Sequence, residues 1–303
     1  MDIAGRPPFR RNGSELTDAQ IRRALRAGDL VVIRRGVLVG RRRVEVARSD
    51  RDAHILRLRA AVLAVPGPPV VAALGSAALL HGFARLGRQP SRVRLYRSRG
   101  GPWRDEDMAV LVCGLPARHL TEVAGVPSTT AARTVVDIGR WVSYRSGVVV
   151  ADSALRGGIG RAELAAVAAD CARWPGIRRA RQVIDFADGL AASPLESVSR
   201  VVFAEFGLPR PRLQVAIGDP EWPDGVVDFL WEDFGVIGEA DGLLKYDGAR
   251  PSALRAEKLR QEALEDRGYV VVRWTWDDIW RRPDWVVARL RSAMSRSERR
   301  RTA

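Results

Sequence analysis

The residue types best suited to chemistry gather in one stretch, VVDFLWEDFGVIGEADGLLKY, residues 226–246. Two apolar runs flank Glu232-Asp233-Phe234-Gly235. β-Branched and aromatic residues around a polar, glycine-containing break predict a β-hairpin. Acids interrupt the apolar runs: Asp228 in the first, Glu239 and Asp241 at the end of the second. Alternation along a strand puts Glu239 and Asp241 on one face. A turn centred between Asp233 and Phe234 sets Asp228 opposite Glu239, with Cβ atoms about 4.5–5.5 Å apart. Two carboxylates that close repel unless a proton or a cation lies between them. Lys245 follows shortly after. Carboxylates converging from two strands beside a lysine are the parts of a Mg²⁺-dependent phosphodiesterase site. A bulge at Gly235 would shift the pairing by one residue and turn one acid away. The plainer alternative is a set of solvent-facing strand positions next to loops.

The elements around this stretch decide what it can be. Hydrophobic periodicity predicts a helix over 194–206 containing Glu196 and a strand over 212–217 before the hairpin. It predicts a helix over 252–267, a strand over 269–274 and a helix over 284–295 after it. This αβββαβ order, with Glu-Ala-Asp on the third strand, resembles the PD-(D/E)XK restriction-endonuclease-like superfamily. More narrowly it is similar to the very-short-patch-repair-like family, on Asp228, Glu239, Asp241, Gly242 and Lys245. PLES around Glu196, AEKLRQEAL and VVVRWTW extend the resemblance over the last third of the chain. The resemblance implies a divalent cation, Mg²⁺ or Mn²⁺, held by Asp228 and Glu239 with Asp241 or Glu196. The superfamily's Glu-x-Lys is Glu-x-Asp here, so a catalytic lysine would have to be Lys245 or Lys258. A glutamate at a helix N-terminus also complements the helix dipole without any metal, and Lys258 is spaced to pair with Glu262.

The whole chain sets the bounds. At 303 residues it predicts two domains or three compact units. No apolar run approaches the roughly 20 residues that span a bilayer, and MDIAGRPPFRRNG lacks a signal-peptide core. A cytoplasmic protein without a membrane partner is expected. Cys113 and Cys171, and the isolated His54, His81 and His119, show no metal-ligand spacing. The net charge of +14 points to a polyanionic partner. Residues 1–60 carry 15 basic and 7 acidic side chains, residues 196–280 carry 10 and 17, and residues 281–303 carry 8 and 2. Basic ends thus flank an acidic unit, as DNA-gripping ends around a cation-binding centre would.

Residues 1–13 read as a flexible arm. Thr17, Gln20 and Gly28 then cap a helix over 18–27, with Ile21, Ala24 and Leu25 on one face and Arg22, Arg23 and Arg26 elsewhere. Leu30–Ile33 and Val37–Val39 flank Arg34-Arg35-Gly36, a tight turn. A helix followed by a basic-tipped hairpin is the end of a winged helix-turn-helix. It resembles the N-terminal domain of AbiEi-type antitoxins of type IV toxin–antitoxin systems, which implies DNA as partner and allows a cognate toxin. There the helix would enter the major groove and the Arg34/Arg35 wing would touch backbone or minor groove. Further helices are expected over 44–64 and 72–83, strands over 92–97 and 108–115, and helices over 148–170 and 174–187. Ser76 to Gly82, Gly125 to Asp137 and ADSALRGG extend the AbiEi-like resemblance. His81, with no nucleophile beside it, is expected to be a structural hydrogen-bonder, and Arg133 and Asp137 an i,i+4 ion pair.

The expected fold class is α/β: a winged-helix segment over 1–43, a mixed α/β connecting domain over 44–190, a restriction-endonuclease-like core over 191–296 and an irregular basic tail over 297–303. The expected function is DNA binding joined to Mg²⁺-dependent endonuclease (hydrolase) activity. The alternative is a non-catalytic DNA-binding regulator or antitoxin.

Overall fold

A computed structural model describes residues 2–87, 90–218, 223–242 and 251–302. It is a mixed α/β protein whose chain divides into two compact units, residues 1–142 with 159–182, and residues 143–158 with 183–303.

The first unit opens with β1 (Phe9–Arg10), α1 (Asp18–Ala27), β2 (Leu30–Arg34) and β3 (Val37–Gly40), followed by α2 (Arg41–Val46) and α3 (Asp50–Ala64). Thr17 and Gln20 form a capping box on α1, and Gly28 ends it at φ 78°, a left-handed conformation suited to glycine. Ile21 and Ala24 pack with Leu16, Leu30 and Leu38, against Ile3, Phe9 and Leu25. The three strands lie in the order β1-β3-β2. The expectation of a flexible arm over 1–13 is therefore corrected: β1 pairs with β3, and Ile3 and Phe9 join the core. The single helix expected over 44–64 is two helices, because Ser49 caps a new one by accepting from the Asp52 amide at 3.1 Å.

The same unit continues with β4 (Val71–Ala72), α4 (Leu74–Leu80), β5 (Val93–Arg97), β6 (Trp103–Arg104), β7 (Met108–Val112), β8 (Leu120–Val123), β9 (Val126–Thr129) and α5 (Ala131–Trp141). These strands form one mixed sheet in the order β6-β7-β5-β4-β9-β8. After α6 (Tyr144–Arg156), which belongs to the second unit, α7 (Arg161–Asp170) returns to the first, and α8 (Ile177–Phe186) starts there and ends in the second. Arg133 is fully buried with Asp137 at 2.7 Å, the expected ion pair, and its guanidinium also lies 4.4 Å from the Trp174 ring. His81 Nε2 meets the Thr129 carbonyl at 2.8 Å, a structural role.

The second unit holds α6, then α9 (Pro194–Glu205), β10 (Arg212–Gly218), β11 (Pro223–Trp231), β12 (Val236–Asp241), α10 (Pro251–Asp266), β13 (Val270–Thr275), α11 (Trp276–Arg281) and α12 (Pro283–Thr302). The sheet order is β10-β11-β12-β13, antiparallel until the final parallel pair. Phe203 of α9 meets Phe229, Trp231 and Trp274 edge-on, with ring centroids 5.3, 5.3 and 5.4 Å away. Aromatic edge-to-face packing of this kind adds about 0.5–1.5 kcal/mol per pair beyond area burial.

Two boundaries differ from expectation. α6 leaves the connecting region because Asp152, fully buried, pairs with Arg200 of α9 at 2.8 Å. Its other oxygen accepts the Asp188 amide at 2.7 Å. The tail expected to be irregular continues α12 as helix to Thr302.

Candidate functional site

The hairpin forms in the register read from its turn. Trp231 pairs with Val236, Leu230 with Ile237 and Phe229 with Gly238. A single 3-10 turn over Glu232–Phe234 closes it, and Gly235 takes φ 59° without shifting the pairing. Gly238 is required by its neighbours, since a Cβ there would lie 2.6 Å from the Trp274 ring. The next pair in this register is Asp228 with Glu239, and here the strands part. Asp228 Oδ2 accepts the Ala240 amide at 2.8 Å, so the carboxylate takes a hydrogen bond that a strand carbonyl would otherwise take. Glu239 is buried, and its Oε1 accepts from Arg260 of α10 at 2.8 Å.

Two further side chains complete the group. Ser193 caps α9, and Glu196 stands at the third helical position. Glu196 Oε2 accepts from the Ala192 amide at 2.8 Å and from Gln214 Nε2 at 2.9 Å. The same Gln214 nitrogen donates to Asp228 Oδ1 at 3.1 Å. One amide thus bridges the helix acid and the strand acid. Glu196 thus accepts the amide just before its own helix cap and shares the Gln214 amide with Asp228. Gln214 lies between Leu213, paired with Phe229, and Val215, paired with Val227, which places it opposite Asp228. Its φ of 49° is left-handed, and a non-glycine residue held there stores roughly 1–3 kcal/mol of strain. Sequence reasoning missed Gln214. The one signal was a long polar side chain in the middle of the strand LQVAI.

Asp241 is buried and its Oδ1 lies 3.6 Å from Arg273. Arg273 stands beside Glu239 in the parallel β12–β13 register. Burial pushes the Glu239 carboxyl up to about 7; the nearby Arg260 pulls it down, Asp228 adds to the rise and Arg273 opposes it. Burial also raises Glu196, with the Ala192 amide opposing and the Asp228 charge adding to the rise. Asp228 is thus the central charge, felt by the acids on both sides.

Of the two lysines, Lys245 lies outside the described residues. Lys258 is corrected as a site candidate: its side chain is 78% exposed and sits 3.6 Å from Glu262. The carboxylates of Glu196, Asp228, Glu239 and Asp241 offer only oxygen, the donor type that suits a hard cation such as Mg²⁺ or Mn²⁺, while Gln214 turns its amide N–H toward Glu196 and Asp228. Four carboxylates face two guanidiniums, which leaves negative charge for a cation to neutralise. As placed, however, no group of three Asp, Glu, His or Cys side chains among the described residues is gathered tightly enough to hold a metal ion.

In the first unit, Arg22, Arg23 and Arg26 of α1 and Arg35 of the β2–β3 turn are exposed. Arg34 departs from expectation. It forms an ion pair with Asp105, and its guanidinium lies 5.9 Å from the Trp103 ring. Asp105 and an aromatic ring therefore take the side chain that the hairpin tip was expected to present to DNA.

Comparison with known proteins gives two relatives, both from Mycobacterium tuberculosis. They are named Uncharacterized protein MT2308 (strain CDC 1551 / Oshkosh) and Uncharacterized protein Rv2248 (strain ATCC 25618 / H37Rv). Each is 29% identical over 253 residues, covering 82% of this chain and 90% of the relative. No family model matches the chain, and no solved structure gives a significant match. Among the described residues no helix is long and apolar enough to cross a membrane.

Proposed function

We propose that the chain is a cytoplasmic DNA-binding protein whose second unit hydrolyses phosphodiester bonds in DNA with the help of a divalent cation. The observation that carries this reading is Asp228 at the parting of β11 and β12. It stands next to Glu239 in register and is bridged through Gln214 to Glu196. Asp228 and Glu239, with Asp241 or Glu196, would hold Mg²⁺ or Mn²⁺. The bound ion would supply Lewis-acid charge neutralisation and a more acidic water. The chain's own residues do the rest. Gln214 keeps the two acids that lack a cationic partner among the described residues aimed at one place. The buried sheet holds Glu239 in a low-dielectric setting where charge acts strongly. The exposed arginines of α1 and the β2–β3 turn grip the phosphate backbone, as a winged-helix element does.

A second reading has its own support. Arg260 on Glu239 and Arg273 on Asp241 already neutralise two acids. On that reading the acidic group is structural, and the protein is a DNA-binding regulator or an antitoxin with a cognate toxin.

The experiment that separates them uses the full chain. Wild type should cut plasmid, linear or mismatched DNA with Mg²⁺ or Mn²⁺, and Glu239→Ala should abolish cutting while DNA binding survives. Wild-type protein that cuts none of these substrates across neutral pH would sink the nuclease reading and leave the regulator in its place.

A further inference from the structure

Among the described residues the nuclease reading has no lysine at the acidic group. The sequence suggested a lysine, and the described lysine, Lys258, points to solvent. Two residues on along α10, about 200° around the helix, stands Arg260. Its guanidinium reaches across the parting strands: Nη2 donates to the Val226 carbonyl of β11 and to Glu239 Oε1 of β12, each at 2.8 Å. The seat beneath it is built by the backbone. Gly225 takes φ 126°, open in practice to glycine, and a Cβ there would lie 2.7 Å from Arg260 Nε. Absence of a side chain at 225 is thus what lets the guanidinium lie over β11. The layering is equally definite. The Arg260 side chain is 21% exposed and the Glu239 side chain under it 4%. An anion arriving from solvent reaches Arg260 before it reaches the carboxylates.

We propose that Arg260 contacts the scissile phosphate and stabilises the charge that develops on it, filling the cationic role the sequence left to a lysine. The proposal rests on the nuclease reading. In the step it serves, a water oxygen bonds to phosphorus. The bond from phosphorus to one bridging oxygen breaks, and the electron pair leaves on that sugar oxygen. The attacking water loses its proton to solvent, and the leaving oxygen takes one from solvent. Arg260 keeps its protons throughout, as a guanidinium does, and acts by its positive charge.

The test is steady-state cleavage of DNA by the full chain with Mg²⁺. Arg260→Ala should lower kcat about 10²–10³-fold with little change in KM, the loss typical of removing one transition-state donor. Added guanidinium ion should restore part of that rate, which a purely structural arginine would not allow. Arg260→Lys should keep more activity than Arg260→Ala, and Gly225→Ala should lose activity because the new methyl displaces the guanidinium. Lys258→Ala should cut like wild type. If Arg260→Ala does not fold, the lysine and Gly225 variants carry the test. A folded Arg260→Ala that cuts at the wild-type rate overturns the proposal and leaves the nuclease reading standing. So does a loss that neither lysine nor guanidinium repairs. A wild-type protein that cuts nothing removes both.

Discussion

The DNA contact proposed for the first unit predicts a specific salt dependence. Arg22, Arg23, Arg26 and Arg35 are exposed, whereas Arg34 is tied to Asp105 and Trp103. Each arginine–phosphate contact releases about 0.9 counterion on duplex DNA, so four contacts contribute about 3.6 to the slope of log affinity against log salt. Between 50 and 200 mM salt that share alone lowers affinity about 10²-fold. The perturbation is replacement of all four by alanine in the full chain. The assay is fluorescence anisotropy with a short labelled duplex, titrated at several salt concentrations. The slope should flatten by about three to four, and affinity at 50 mM salt should fall with it. Arg34→Ala makes the opposing control. It should leave the slope alone and cost about 1 kcal/mol of stability, since it strands a half-buried Asp105. A fourfold variant whose slope equals that of wild type would refute the assignment of these arginines to phosphate. A changed slope in Arg34→Ala would refute the claim that its ion pair withholds it from DNA.

Two further outcomes test the fold that carries the sites. Burial holds His54 down at about 4, with Arg57 and Arg85 adding to the fall and the Pro90 carbonyl opposing it. The unfolded chain therefore binds a proton near pH 6.5 that the folded chain refuses until about pH 4, so stability falls as pH drops through that window, by about 3 kcal/mol in all. Thermal melts of His54→Asn should show a flatter pH dependence there; a slope identical to wild type would count against the buried neutral imidazole. Asp152→Ala should cost about 3–5 kcal/mol in denaturant unfolding, because it leaves Arg200 buried without its carboxylate; a loss below about 1 kcal/mol would mean that water or another acid replaces it.

Local chemistry made much of this protein legible in one dimension. Thr17, Gln20 and Gly28 bounded α1 because capping is a contact between near neighbours in the chain. The hairpin register followed from the turn residues, since pairing outward from a turn needs no knowledge of the rest of the molecule. Arg133 and Asp137 were paired by helix spacing alone. The tertiary structure decided what depends on residues far apart in the chain. α6 moved to the second unit because Asp152 found Arg200, 48 positions on. Arg34 turned from a hairpin tip to Asp105, 71 positions on. The motif pattern points to a lysine beside the acids, yet the side chain that bonds Glu239 is Arg260, admitted by the missing Cβ of Gly225. Gln214 stayed invisible for the same reason: its value lies in joining Glu196 to Asp228, and neither partner is near it in sequence. Periodicity and capping report forces along the chain. Charges in a low-dielectric interior seek whichever opposite charge the fold brings close, and no local pattern records which one that is.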